Sequence, residues 1–181
     1  MKNNLPDAMN RARVLSAALG LLAYSAGLPA VAADGLCGTL REFTKSVKPG
    51  ETRALRFNTI LGSNFKDREV SANGAKRCDF SSYEPAKAVC KYLMEFGSAE
   101  SAGYNAKSAI TCLSPNTRFA AGTRLGAIAF SMPFGLAEHP GLVDVAFTED
   151  KDLGGMVLSI TAAGPQVRSS SRHRSRESGR S

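Results

Sequence analysis

Residues 78–90 read CDFSSYEPAKAVC, and they hold the clearest indication of how this chain is organised. Ser81 and Glu84 have the spacing of a helical capping box, and the proline at position 85 is tolerated in the first turn of a helix. The stretch therefore predicts that a helix begins near Ser81. The cysteines at its two ends, Cys78 and Cys90, are placed to close a short local loop.

This helix is predicted to run to Gly97, with an apolar face that consists of Ala86, Val89, Cys90, Leu93 and Phe96. Two further segments have helical spacing. Residues 36–47 predict a short amphipathic helix, which Pro49 and Gly50 end. Residues 99–113 predict a third helix, whose seam of mostly small side chains lets it lie close against a neighbour.

Strands are predicted both before and after the helices at 84–96 and 99–113 in the sequence. Before them, residues 51–61 alternate between apolar and polar side chains, as in a half-buried strand. Asn73-Gly74 predicts a tight turn between two polar strands at about 68–72 and 75–80.

The last third of the chain also reads as sheet. Residues 125–132 are apolar on both faces, which predicts a central strand covered on both sides. Residues 142–148 and 156–161 alternate and are predicted to form a hairpin through the polar residues 149–155. We therefore expect an α+β fold over about 35–163, with a small antiparallel sheet of about four strands packed with two or three helices.

The four cysteines predict two disulfides, because an even number of cysteines behind an export signal is typical of a disulfide framework. Three pairings are possible. We favour Cys78–Cys90 with Cys37–Cys112, since the first closes a short loop and the second ties the start of the domain to its middle. A zinc site is the alternative, but the sequence contains no Cys-x-x-Cys pair and only two histidines.

The first 32 residues have the three parts of a cleavable signal peptide. Lys2, Arg11 and Arg13 form a positive start, an uncharged apolar run follows, and small residues at 30–32 suit a signal peptidase. A membrane anchor is the alternative, but the run is shorter than the roughly 20 residues that a spanning helix needs. The mature chain is therefore predicted to start at Ala33, to have no transmembrane anchor and to reach the periplasm or the medium.

The formal net charge of +7 belongs mainly to the two ends of the chain. Residues 1–32 contribute +2, residues 165–181 contribute +4, and the predicted single domain at 33–164 is left with +1. The Ser- and Arg-rich tail from 165 is expected to be disordered. Flexible arginines bind polyanions in a salt-dependent way, and here they are Arg168, Arg172, Arg174, Arg176 and Arg180. The alternative is an extension with no selected role.

The sequence contains only weak signals of a catalytic site. His139 is the one histidine outside the tail, but it lies in a predicted turn, and no Gly-x-Ser-x-Gly motif supplies a nucleophile. Carboxylates for a glycosidase exist, but no spacing selects a pair among Glu84, Glu95, Glu100, Glu138 and Asp144. Asp150-Lys151-Asp152 weakly resembles a calcium loop, yet the bidentate glutamate at its end is missing. No phosphate-binding or dinucleotide-binding glycine motif occurs, so we expect no cofactor.

These observations favour an exported, non-enzymatic domain that acts as a binding, inhibitor or envelope-associated module. Its partner, a protein or an envelope component, is not specified by the sequence. Two alternatives stay open: a small exported hydrolase that uses carboxylates or His139, and a polyanion-binding protein that uses the arginine-rich tail. An enzyme predicts a cleft in which such groups converge, whereas a binding module predicts an apolar patch or groove.

Overall fold

The structure is a computed structural model that describes residues 35–68, 73–136 and 139–166. The chain forms three helices and five strands within these ranges. The helices are α1 (Gly35–Lys45), α2 (Glu84–Phe96) and α3 (Ala102–Leu113). The strands are β1 (Thr52–Leu61), β2 (Gly74–Asp79), β3 (Ile128–Leu136), β4 (His139–Glu149) and β5 (Met156–Ala163). None of the helices in the described ranges is both long enough and apolar enough to cross a bilayer.

The predicted signal peptide at 1–32 and the five tail arginines lie outside the described residues. The described chain does extend two residues into the predicted tail. There the carbonyl oxygen of Pro165 accepts a hydrogen bond of 3.0 Å from the N–H of Gly50. The hydrogen-bonded domain therefore includes Pro165.

The five strands form one antiparallel sheet in the order β2-β1-β5-β4-β3. This arrangement confirms the predicted α+β fold, with five strands instead of four. The three helices cover one face of the sheet: α2 packs on β1 and β2, α3 packs on β4 and β5, and α1 packs on α2 and α3. The other face has no helix on it within the described ranges.

The hydrophobic core lies between the helices and this face of the sheet. Strand alternation directs Phe57, Val145 and Ile160 into it, where each is almost completely buried. Ala106 and Ala109 on α3 are also fully buried. As predicted from the sequence, the small side chains of α3 allow it to approach its neighbours closely.

Both predicted disulfides are confirmed. Cys37–Cys112 joins α1 to α3, with 4.7 Å between the two Cα atoms. Cys78–Cys90 joins the edge strand β2 to α2, with 5.5 Å between the Cα atoms. The two bonds therefore tie the helices to one another and to one edge of the sheet.

The predicted central strand at 125–132 is wrong. The corresponding strand is β3, which lies at the edge of the sheet and, among the described strands, pairs only with β4. Phe130 and Met132 face the helices, whereas Ala129, Ser131 and Pro133 are exposed on the other side. The run at 125–132 looks apolar on both faces because small residues, Ala129 and Ser131, occupy its exposed positions, and these need no cover.

The predicted turn at Asn73-Gly74 is also wrong, while the predicted strand at 68–72 lies almost entirely outside the described residues. Gly74 is the first residue of β2 and pairs directly with Leu61 at the end of β1. The N–H of Gly62 donates to the carbonyl oxygen of Asn73 over 3.0 Å, so the connection between the two strands spans 62–73. Gly62 has a φ of 76°, a left-handed conformation that glycine adopts easily at the start of such a connection.

Helix α2 begins two residues later than the capping box predicts. Tyr83 is its N-cap and makes no side-chain capping bond, while Ser81 and Ser82 have positive φ angles of 47° and 58°. Asp79 accepts a hydrogen bond of 2.9 Å from the N–H of Ser81, which stabilises this bend. The Tyr83 hydroxyl donates to the carbonyl oxygen of Ser46 over 2.9 Å, which adds a tertiary contact at the start of the helix.

The disulfides yield a prediction about stability. Replacing both Cys37 and Cys112 by alanine should lower the free energy of unfolding by about 4.5 kcal/mol, and the same change at Cys78 and Cys90 by about 3 kcal/mol. The difference arises because the first bond closes a chain segment of 75 residues and the second one of 12. Denaturant unfolding of the two double variants measures it, and equal losses would contradict the chain-entropy argument.

Candidate functional site

A cleft of about 880 Å³ opens beside the first turn of α3. One wall consists of the start of α3 and the turn before it, residues 98–104. The opposite wall is the extended segment 123–126, and Phe147 and Met156 form the floor at the ends of β4 and β5. The volume falls within the range of about 300–1,000 Å³ that is usual for small-molecule sites.

The wall at 123–126 is held against α3 by close packing and by a hydrogen bond. Gly103 lies directly under Leu125, since a Cβ atom at residue 103 would stand 3.1 Å from the Leu125 carbonyl oxygen. The ammonium group of Lys107 donates to the carbonyl oxygen of Thr123. The hydroxyl of Thr123 in turn donates to the carbonyl oxygen of Ala120 over 2.7 Å. Contacts with α3 and a hydrogen bond to Ala120 therefore hold this wall in place.

The turn before α3 is organised by the buried side chain of Asn105. Its Oδ1 accepts a hydrogen bond of 2.9 Å from the N–H of Ser98, and its Nδ2 donates to the Ser98 carbonyl oxygen over 2.8 Å. The Ser98 hydroxyl oxygen accepts from the N–H of Ser101 over 2.8 Å. These bonds shape the rim at 98–101 without help from any residue outside this segment and α3.

The charges of the cleft favour a negative ligand group. Lys107 and Arg124 line it together with a single carboxylate, Glu100. The ammonium group of Lys107 uses one of its three donors for Thr123 and keeps the others for a ligand. Tyr104 is 66% exposed and offers an aromatic surface beside them. The cleft can therefore hold an apolar body on its floor and an anionic group at its rim.

The residues that a hydrolase would need are dispersed. Of the five carboxylates considered from the sequence, only Glu100 lines the cleft. Glu84 is paired with Lys87 at 3.1 Å on the surface of α2, and Asp144 accepts a hydrogen bond of 2.5 Å from Ser131 on the uncovered face of the sheet. Glu95 is exposed on α2, and Glu138 lies outside the described residues.

His139 is the first residue of β4, whereas the floor of the cleft is at the opposite end of that strand. Phe147 lies eight positions after His139, which corresponds to about 27 Å along an extended chain. The backbone of His139 pairs with Leu136 and not with any residue of the cleft. The fold therefore does not bring the histidine to the cleft.

The loop that resembles a calcium site has a different role. The Asp150 side chain is only 3% exposed. Its Oδ2 accepts from Asn58 over 2.7 Å and from Arg56 over 3.0 Å. Its Oδ1 accepts from the backbone N–H groups of Asp152 and Leu153 at 3.0 and 2.9 Å. The hydrogen bond from the N–H of Leu153 is the main reason that the pKa of Asp150 lies below its ordinary value. The hydrogen bond from Asn58 lowers this pKa further, whereas burial raises it.

Asp150 therefore connects β1 to the turn between β4 and β5. The neighbouring loop closes over this contact, because the N–H of Lys66 donates to the carbonyl oxygen of Leu153 over 2.9 Å and Phe65 is almost completely buried beside it. Both oxygens of the carboxylate are engaged by groups of the protein. In the described part of the chain, no three potential metal-binding side chains cluster together.

Two exposed leucines lie at the other end of the sheet. Leu136 is 78% exposed and Leu142 is 52% exposed. The register places Leu142 opposite Pro133, on the uncovered face, and places Leu136 on the face that the helices cover elsewhere. Because they point to opposite sides of the hairpin, the two leucines do not make one flat docking surface. The cleft is the better candidate.

The cleft itself was not predicted from the sequence. Tyr104 and Lys107 are three residues apart and so share one side of a helix, which is a signal that the sequence does contain. Arg124 and Met156 come from a loop and a strand, and only the fold brings them to the same place. No protein-family model, curated protein or solved structure matches this chain, so the cleft is interpreted from its own chemistry.

The Asp150 contacts yield a second prediction. Replacing Asp150 by alanine should lower the free energy of unfolding at pH 7 by about 3 kcal/mol, because it leaves the buried Asn58 amide without its acceptor. The exposed Asp144 is the matched control, and Asp144→Ala should change stability by less than about 0.5 kcal/mol. Urea unfolding measures both values.

The same variant has an expected pH dependence. The pKa of Asp150 is lower in the folded chain than its ordinary value of 3.8. Its stabilising contribution is therefore complete above the unfolded-state pKa and is lost as the pH falls through the folded-state pKa. The difference in stability between the native chain and Asp150→Ala should narrow below about pH 4. A difference that stays constant down to pH 2 would show that ionisation of Asp150 does not contribute.

Proposed function

We propose that this chain is exported and that its domain at 33–164 is a non-enzymatic binding module, with the cleft beside α3 as its binding site. The observation that carries the proposal is the composition of the cleft. It has an apolar floor, an exposed aromatic ring and two cationic side chains, but only one carboxylate and no histidine among its lining residues. Such a lining suits retention of a ligand.

The same composition argues against the hydrolase alternative. Glycoside hydrolysis generally needs two carboxyl groups on either side of the scissile bond, and serine or cysteine hydrolysis needs a nucleophile beside a base. Glu100 stands alone in the cleft, and the cysteines of the domain are in disulfides. The general acid and base would have to come from different parts of the fold.

Export is supported by the cysteine chemistry together with the first 32 residues. Disulfides form and persist in oxidising compartments and are rare in the cytosol. Cys37 follows the proposed cleavage site by only four positions and is already paired with Cys112. A domain built this way gains its full stability only after it has left a reducing environment.

The export proposal predicts the mass of the natural protein. Protein recovered from its native location should begin at Ala33 and should weigh less than the reduced chain by the hydrogens lost in forming two disulfides. Intact-mass spectrometry with and without a reducing agent checks both points. A chain that keeps residues 1–32 and has four free thiols would refute export.

The binding proposal predicts that a neutral aromatic probe enters the cleft. In titrations of the mature chain with naphthalene-2-carboxamide, we expect NMR shifts that concentrate on the amides of Gly103, Tyr104 and Gly126. Tyr104→Ala should raise the Kd about fivefold, because the variant loses an aromatic contact worth about 1 kcal/mol.

The control for this experiment is Phe96→Ala. Phe96 is an aromatic residue of similar exposure, 63%, but it lies at the end of α2 and not in the cleft. Its removal should leave the Kd of the carboxamide unchanged. Shifts scattered over the whole surface, or equal effects of the two variants, would refute the cleft as the binding site.

A further inference from the structure

The lining of the cleft also defines the class of ligand. We infer that the site selects small amphipathic carboxylates, in which an aromatic or aliphatic body lies over Phe147 and Met156 and the carboxylate contacts Lys107 and Arg124. This inference rests on the proposed binding function and adds the charge of the ligand to it.

The position of the two cations supports a carboxylate. Lys107 is held at the wall by its bond to Thr123, with its ammonium group 5.9 Å from the centre of the Phe119 ring. Its place is therefore fixed before a ligand arrives, which reduces the entropy lost on binding. Arg124 belongs to the same wall and is exposed, so its planar guanidinium is available for two parallel hydrogen bonds to a carboxylate.

The backbone at the start of α3 also favours a negative ligand group. Residues 101–104 line the cleft, and α3 has no acidic residue in its first turn. The positive end of its macrodipole is therefore not neutralised by a side chain of that turn. Glu100 opposes this field, but it is one exposed carboxylate against two cations. The balance at the rim favours an anion.

The apolar floor of the cleft indicates that the ligand has an apolar part. Phe147 and Met156 present carbon and sulfur atoms from the ends of two strands, and Leu125 adds an aliphatic side chain from the wall. Phe147 is almost completely buried, so a purely inorganic anion would leave mainly the half-buried Met156 and Leu125 in contact with water. A ligand that combines both properties gains from apolar burial and from charge-assisted hydrogen bonds at once.

Size limits the ligand to a small molecule or to one or two side chains of a larger one. The exposed phenol of Tyr104 stands at the rim and can stack on a planar group. An acidic peptide from another protein would have to place its carboxylate in the same position. It is therefore an alternative source of the same contact, and competition distinguishes it from a free ligand.

The test compares three probes that share one naphthalene body: 2-naphthoate, naphthalene-2-carboxamide and 2-naphthylmethylammonium. We expect 2-naphthoate to bind the mature chain about tenfold more tightly than the neutral carboxamide, and the cation to bind more weakly than both. Arg124→Gln should remove most of the advantage of the carboxylate, so that the ratio between the Kd of the carboxamide and the Kd of 2-naphthoate falls from about ten towards one. Isothermal titration at fixed ionic strength measures all three.

Arg118→Gln is the matched control. Arg118 is an exposed arginine of the same region whose guanidinium donates to the carbonyl oxygen of Pro115 over 2.8 Å, and it does not line the cleft. The variant loses the same charge, so it should keep the tenfold preference for 2-naphthoate. The five arginines at 168–180 are present in every variant and therefore do not affect the comparison.

The outcomes separate the two proposals. If the carboxamide binds as tightly as 2-naphthoate, or if the cation binds best, the selectivity inference is overturned while the binding site stands. If Arg118→Gln and Arg124→Gln have equal effects, the preference is a general effect of net charge and the inference also fails. If none of the three probes binds, the proposed function fails. A peptide that ends in an acidic side chain and displaces 2-naphthoate would assign the site to a protein partner.

Discussion

The Cys37–Cys112 bond is the constraint on which the arrangement of the helices depends. It joins α1, at the start of the domain, to the last turns of α3, and α3 carries the fully buried Ala106 and Ala109 into the core. Each alanine buries little apolar area, so the covalent link adds to the packing that Leu40, Phe43 and Ile110 supply in the same core. The wall of the cleft that bears Tyr104 and Lys107 is part of the helix held in this way.

A second, non-covalent connection acts on the other side of the sheet. Asp150 links Arg56 and Asn58 on β1 to the turn that joins β4 to β5. Met156, in the floor of the cleft, is the first residue of β5 and follows this turn directly. The disulfide and the buried carboxylate therefore position two different parts of one cleft, the first through a helix and the second through a strand.

Local sequence patterns were sufficient for most of the secondary structure and for the disulfides. Helix α2 followed from its apolar face, and the pairing of Cys78 with Cys90 followed from their proximity in the chain. The errors arose where distant residues decide the outcome. The hydroxyl of Tyr83, the N-cap of α2, donates to Ser46, which is distant in the sequence, and no local rule contains that contact.

The place of β3 at the sheet edge and the composition of the cleft escaped prediction for a related reason. Apolar residues at 125–132 indicate a buried strand, but alanine and serine at alternate positions tolerate water equally well. The cleft draws Lys107, Arg124 and Met156 from a helix, a loop and a strand. Periodicity describes one element at a time and cannot show which elements meet. Asn58 and Asp150, which are 92 positions apart, illustrate the same limit.

Pro133 in the outermost strand has a consequence for how copies of this protein behave at high concentration. A proline in an edge strand is tolerated where its nitrogen faces solvent, so the free border of β3 lacks a donor at that position. At the opposite border, Arg77 of β2 is paired with Asp67, so charged side chains lie beside the edge to which a second copy would have to add its own strand. Both margins of the sheet therefore resist the strand-to-strand polymerisation that leads to fibrils.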